Sequence, residues 1–199
     1  MKITRIWAMP NCHTFDIHPV RELIMRVKAA RGGVWIDPYA NSSRIADVTN
    51  DLNPDHDTDC HMDGLAFLKT FGAESVDGVL FDPPYSPRQV SECYASVGRR
   101  ATYKDTSARW WALQKQEIAR ILKPGGLVVA CGWNSGGIGR KYGFKMLEIL
   151  LVPHGGMHND TIVTVEAKRG APLSLLAFLP TAKETNKNGN QITGRPHGA

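Results

Sequence analysis

Four consecutive residues, Asp82-Pro83-Pro84-Tyr85, are of the types and in the order that a particular reaction needs. The exocyclic amine of a nucleobase is a poor nucleophile, because its lone pair is delocalised into the ring. A carboxylate and a main-chain carbonyl can each accept one of its two N–H bonds. Asp82 and Pro83 supply that pair. The same carboxylate stabilises positive charge that develops on the nitrogen, which is electrostatic catalysis by a preset acceptor. Tyr85 offers a ring face on which an extruded base can stack. A plainer role is compatible with the same residues: two prolines ending a strand, and an acid capping the next turn.

The elements that position this corner follow from hydrophobic patterning. Val76 to Phe81 reads as a buried strand. Pro83 and Pro84 cannot continue its ladder. Asp82 and Tyr85 therefore stand at the carboxyl end of a strand, where ligands bind in open α/β sheets. Val20, Leu23, Ile24 and Val27 recur at helical spacing, predicting a helix over 20–30 with Asp16 as its cap and Pro19 in its first turn. Val34 to Ile36 reads as a short buried strand delivering Asp37. Thr106 to Leu122 reads as a helix that Lys123-Pro124-Gly125-Gly126 stops, and Leu127 to Cys131 as another strand. Ser86 to Asp105 is predicted to be a long basic loop, and Asn134 to Tyr142 a glycine-rich turn that lacks the ending of a phosphate-binding P-loop. Segments 145–152 and 160–168 alternate as an antiparallel strand pair. Strands alternating with helices, closed by that hairpin, predict an α/β, doubly wound, mostly parallel sheet with an antiparallel edge. A single domain over 1–180 is expected, including an apolar run from Pro172 to Pro180. The polar stretch 181–199 is expected to be a disordered tail.

Charge is segregated along the chain. From Asp47 through Asp82 nine acids face one base, Lys69, which suits a cationic small ligand. From Arg88 through Lys145 eleven bases face three acids, Glu92, Asp105 and Glu117, which suits a polyanion. Solvated helix faces would give the same pattern more blandly. Cys12, Cys60, Cys93 and Cys131 form no C-x-x-C pair, and the adjacent Cys-His pairs lack zinc-ligand spacing, so no metal is expected. His154 and His158 are four apart on a predicted loop and suggest none either. No apolar run approaches the ~20 residues of a membrane span, and the first residues hold no signal-peptide core. A cytoplasmic setting, in a bacterium or a phage-infected host, is expected.

Read together, these residues resemble the S-adenosylmethionine-dependent class I DNA amino-methyltransferases, over about Trp7 to Arg169. Asp82-Pro83-Pro84-Tyr85 looks like that family's catalytic motif in its adenine-N6 form. Phe15-Asp16-Ile17-His18-Pro19 is similar to the motif that lies over the methionine end of the cofactor. Ile36-Asp37-Pro38-Tyr39-Ala40 resembles the start of the first cofactor motif. The family's glycines are replaced after it by Asn41, Ser42 and Ser43. Asp51-Leu52 falls where the ribose-binding acid belongs, and Asp63-Gly64 where the adenine-contacting acid is found. The resemblance implies a Rossmann-like methyltransferase sheet and S-adenosylmethionine as cofactor. Phe15, Ile17, Pro19, Asp37, Pro38, Tyr39, Ala40, Asn41, Asp51, Leu52, Asp63 and Gly64 would hold that cofactor. It implies a site-specific adenine methyltransferase acting on DNA, in a small form like phage-encoded or orphan enzymes, with or without a restriction partner. Without a separate recognition domain, Arg88, Arg99, Arg100, Lys104, Arg140 and Lys141 are expected to grip the nucleic acid. RNA adenine or DNA cytosine-N4 as target, a catalytically silent binding module, and a homodimer all stay open on this reading.

Overall fold

The computed structural model describes residues 1–156 and 158–170. The end of the predicted domain, its apolar run 172–180 and the predicted tail 181–199 lie outside the described residues. Among the described residues seven strands form one sheet: β1 (Lys2–Arg5), β2 (Trp35–Asp37), β3 (Val48–Thr49), β4 (Val76–Phe81), β5 (Leu122–Gly132), β6 (Phe144–Val152) and β7 (Thr161–Lys168). Their order across the sheet is β1-β6-β7-β5-β4-β2-β3. All neighbours are parallel except β7, which runs antiparallel to both β5 and β6. The predicted hairpin is present, yet it is not the sheet's margin. β1 pairs outside it, Lys2 opposite Glu148 and Arg5 opposite Leu151.

Among the described residues five α-helices pack on the sheet: α1 (His18–Arg31), α2 (Gly64–Lys69), α3 (Pro87–Ser96), α4 (Tyr103–Thr106) and α5 (Ala108–Ile121). They cover both faces, as a largely parallel sheet requires. Val20, Leu23, Ile24 and Val27 of α1 are buried against Trp35, Leu80, Val129 and Val163. Phe67 and Leu68 of α2, with Ile118 and Ile121 of α5, are buried against Val79, Phe81, Val128 and Ala130. Adjacent strand residues thus serve opposite layers, as the two-residue period dictates. Burying each such side chain stabilises by about 1.5–3 kcal/mol. Gly78 is needed in β4, because a Cβ there would lie 2.1 Å from the Trp35 ring.

Three expectations are corrected. Segment 86–105 is not a loop: the Ser86 hydroxyl accepts the Gln89 N–H at 3.2 Å, and Pro87 opens α3. Val90 and Tyr94 of this helix pack on Trp110 in a small third core. Asp16 does not cap α1. It lies in a 3-10 turn, Thr14–Asp16, and pairs with Arg21 at 2.9 Å, while Ile17 takes the cap position. The helix-stopping run Lys123–Gly126 is a register shift, since Val76 pairs with Leu122 but Gly78 with Leu127.

The sheet's connectivity reverses between β2 and β4. From β2 the chain passes outward to β3, then returns to the opposite side of β2 to form β4. Such a reversal leaves a crevice at the strands' carboxyl ends.

Candidate functional site

A cavity of about 370 Å³ sits in that crevice. Tyr39, Ala40 and Asn41, just after β2, form one wall, and Asp82 to Tyr85, just after β4, form the facing one. The 3-10 turn contributes Thr14, Phe15 and Asp16, and α3 closes a side with Gln89, Glu92 and Cys93. Asp51, Leu52, Asn53 and His56 complete it. Among the described residues its charged lining side chains are acids, Asp16, Asp51, Asp82 and Glu92, with no lysine or arginine. That balance favours a cationic occupant.

Asp51 organises the wall. Its carboxylate accepts the Asn41 N–H at 2.9 Å and the Asn53 N–H at 2.8 Å. Asn41 has φ of +51°, a left-handed conformation that asparagine tolerates better than most side chains. The backbone therefore makes the turn for which glycines would otherwise serve, and the short Asn side chain sits on the cavity wall.

Asp82 is half-buried. Burial pushes its carboxyl up to about 6, with the Thr14 hydroxyl acting against the rise. The Tyr85 hydroxyl donates to its Oδ1. The loop after it is held from both sides: the Trp111 indole N–H donates to the Pro84 carbonyl at 2.9 Å, and Gln89 Oε1 accepts the Tyr85 N–H at 2.8 Å. Among the described residues nothing donates to the Pro83 carbonyl.

A second cavity, about 140 Å³, lies beside the first. Pro83 and Tyr85 line both, so this loop is the partition between them. Trp111 and Lys115 of α5, Ala130 to Gly132 of β5, Thr164 of β7, and Trp133 and Asn134 close the smaller space. The Tyr85 and Trp133 rings are 5.5 Å apart, inclined at 58°.

The predicted residues divide accordingly. Phe15, Tyr39, Ala40, Asn41, Asp51, Leu52 and Asp82 to Tyr85 meet around the larger cavity. Ile17 and Pro19 are buried beneath it, at the start of α1. Asp37 is fully buried behind the wall: one oxygen accepts the Tyr39 N–H at 3.0 Å, the other has no partner among the described residues, and burial holds the carboxyl well above its ordinary range. The Pro38 carbonyl accepts from the Asn50 amide. Asp63 caps α2 and accepts the Tyr94 hydroxyl at 2.6 Å, and Gly64 packs on the Tyr39 ring; neither lines the cavity. Arg88, Arg99, Arg100, Lys104, Arg140 and Lys141 are all exposed. Arg88 pairs with Glu92, and Arg99 lies over the Tyr94 ring. The patterning overlooked Trp111, Lys115, Trp133 and Thr164. The available signal was the four-residue spacing of Trp111 and Lys115 on one helix.

No family model matches this sequence, and no curated protein matches it. Solved structures do match in shape. The N-methyltransferase NodS from Bradyrhizobium japonicum WM9, in complex with S-adenosylhomocysteine, superposes with a TM-score of 0.52 at 10% identity, covering 80% of this chain and 89% of that one. The 1,6-didemethyltoxoflavin-N1-methyltransferase from Burkholderia thailandensis, with 1,6-didemethyltoxoflavin and S-adenosylhomocysteine bound, gives 0.51 at 13%, covering 74% and 76%. The fold is the Rossmann-like methyltransferase fold. NSun6 from Pyrococcus horikoshii has it too, at a TM-score of 0.50 and 14% identity, covering 74% of this chain and 52% of that protein, of which this chain spans about half. In this methyltransferase fold, the crevice beside β2 and β4 holds the acid-lined cavity. No helix among the described residues is long and apolar enough to cross a membrane.

Proposed function

We propose that this chain transfers a methyl group from S-adenosylmethionine to the exocyclic N6 amine of adenine in DNA. The observation that carries the reading is the partition. The loop Asp82–Tyr85 separates an acid-lined cavity of ligand size from a smaller, aromatic one, so donor and acceptor can meet across it. The fold supports the cofactor, since the two relatives cited with S-adenosylhomocysteine share it. The lining fits a sulfonium compound, being acidic and, among the described residues, without lysine or arginine. When bound, that cofactor supplies an already activated methyl group.

The protein's own task is then positioning. Asp51 and Asn41 hold the polar end of the donor, and Phe15 and Leu52 flank it. Asp82 and the unengaged Pro83 carbonyl accept the two amine N–H bonds. Tyr85 stacks on the base, with Trp133 beyond it. Arg88 on α3, Arg99 and Arg100 in the link that follows it, and Lys104 on α4, together with Arg140 and Lys141, contact phosphates. For Asp82 to receive the amine, the Tyr85 hydroxyl has to leave it.

Tritiated S-adenosylmethionine offered with DNA and, separately, RNA, followed by nucleoside analysis, tests the proposal. Labelled N6-methyldeoxyadenosine, absent from an Asp82→Ala variant, is the expected product. Labelled N4-methyldeoxycytidine or methylated RNA would move the target. A second reading, a catalytically silent binding module, is favoured by the Tyr85 hydroxyl on Asp82. Cofactor binding in calorimetry without any methyl transfer would support it.

A further inference from the structure

Among the described residues the smaller cavity has one charged side chain in its wall, Lys115, which methyl transfer to the amine does not itself use. At about 140 Å³ the space is well below the ~300 Å³ where whole-ligand pockets begin, so it suits one ring of a substrate. Its apolar surround is Tyr85, Trp111 and Trp133. Lys115 is half-buried on α5, between the buried positions Gln114 and Ile118. Among the described residues its ammonium donates only to the Gly137 carbonyl. A lysine has three N–H donors, so two remain.

The placement of this ammonium is fixed. Glu166, buried on β7, accepts the Ile138 and Gly139 N–H groups and so anchors the Gly137 turn. Gly137 is obligatory there, since a Cβ would lie 2.2 Å from the Glu166 carboxylate. Burial pulls the Lys115 ammonium below its ordinary range, with Glu166 acting against that. A partly desolvated cation with unmet donors gains most from a good acceptor. In adenine the amine adjoins a ring nitrogen, N1, whose lone pair lies in the plane of the ring.

Resting on the proposed adenine methylation, we infer that Lys115 donates a hydrogen bond to N1 of the target adenine. It thereby selects bases that present an acceptor beside the reacting amine. Asp82 and Pro83 hold the amine from the partition, and Lys115 meets the neighbouring edge from α5. A base lacking that acceptor leaves the two remaining donors of the ammonium unmet, and sites built on such a contact discriminate against it.

The test uses the full chain and DNA copied by a polymerase with deoxyadenosine, 1-deazadeoxyadenosine or 7-deazadeoxyadenosine. The wild type should lose about 10- to 100-fold in single-turnover methylation on the 1-deaza DNA, and little on the 7-deaza DNA. Lys115→Met should show that loss already on ordinary DNA and no further loss on 1-deaza DNA. Lys115→Arg should recover part of the rate, and all three proteins should bind S-adenosylmethionine alike in calorimetry. A role confined to holding Gly137 would slow Lys115→Met while leaving its sensitivity to the 1-deaza substitution intact, which overturns the inference. Unchanged methylation by Lys115→Met also overturns it and leaves the methyltransferase reading standing. A wild type that methylates no nucleic acid overturns both.

Discussion

Asp82→Asn should make the protein more stable and less active at once. The Asp82 carboxyl is raised from an ordinary 3.8 to about 6, chiefly by burial. At ~1.36 kcal/mol per pH unit that gap amounts to about 3 kcal/mol against folding once the group is ionised. Solvent reaches the half-buried residue and screens the charge, which leaves a cost of about 1–2 kcal/mol. The sign follows from proton counts. Between 3.8 and about 6 the folded chain holds a proton that the unfolded chain has released. Stability contributed by this group therefore falls as pH rises through that window. Asparagine keeps an acceptor for the Tyr85 hydroxyl and has no charge to bury. In urea titrations at pH 8 the variant should gain about 1–2 kcal/mol over wild type, and at pH 4 about nothing. Glu166, also raised by burial, is present in both proteins and cancels in the difference, whereas Asp37, whose carboxyl the Asp82 charge helps to raise, is relieved in the variant and adds to the gain at high pH. Methyl transfer at pH 8 should drop by about 10²–10³, the usual scale for losing one preset electrostatic contact. A stability gain equal at both pH values, a loss of stability, or retained transfer would refute the reasoning.

Three further outcomes are expected. The single-turnover methylation rate of the wild type should rise with pH and level off above a midpoint near 6, because the ionised Asp82 carboxylate holds the amine; a flat profile between pH 5 and 7 counts against that role. Tyr85→Phe keeps the ring and frees Asp82, so its rate should stay within a few-fold of wild type, while Tyr85→Ala should lose about 10- to 100-fold through lost stacking; equal effects of both would tie the function to the hydroxyl instead. Asn41→Gly should leave folding unharmed, whereas Asn41→Val, forced to φ of +51°, should cost about 1–2 kcal/mol in denaturant titrations.

What was legible in the sequence is what local chemistry decides. β4 and its acidic corner could be read because an apolar run ends at two prolines, and α1 because four apolar residues keep its period. α3 escaped because its buried residues, Val90 and Tyr94, stand in a basic, polar stretch; its Ser86 cap and Pro87 were the overlooked cues. Asp63 shows the limit of reading residues singly. The resemblance implies that Asp63 contacts the adenine of the cofactor, but its engagement by Tyr94 spans 31 positions and depends on how α3 packs. The smaller cavity is assembled from α5, β5, β7 and a glycine-rich turn, and only tertiary closure brings them together.

The pairing of β1 with β6 has a consequence for biogenesis. Lys2 meets Glu148, so the rim of the sheet waits for nearly all of the described chain to leave the ribosome. Until then the stretch that holds Ile3, Ile6 and Trp7 has no ladder to join, a state in which nascent chains are prone to stick to one another. Cutting off the first eight residues would bare the backbone of β6 along its outer side, and the shortened protein should form higher-order species that grow with concentration.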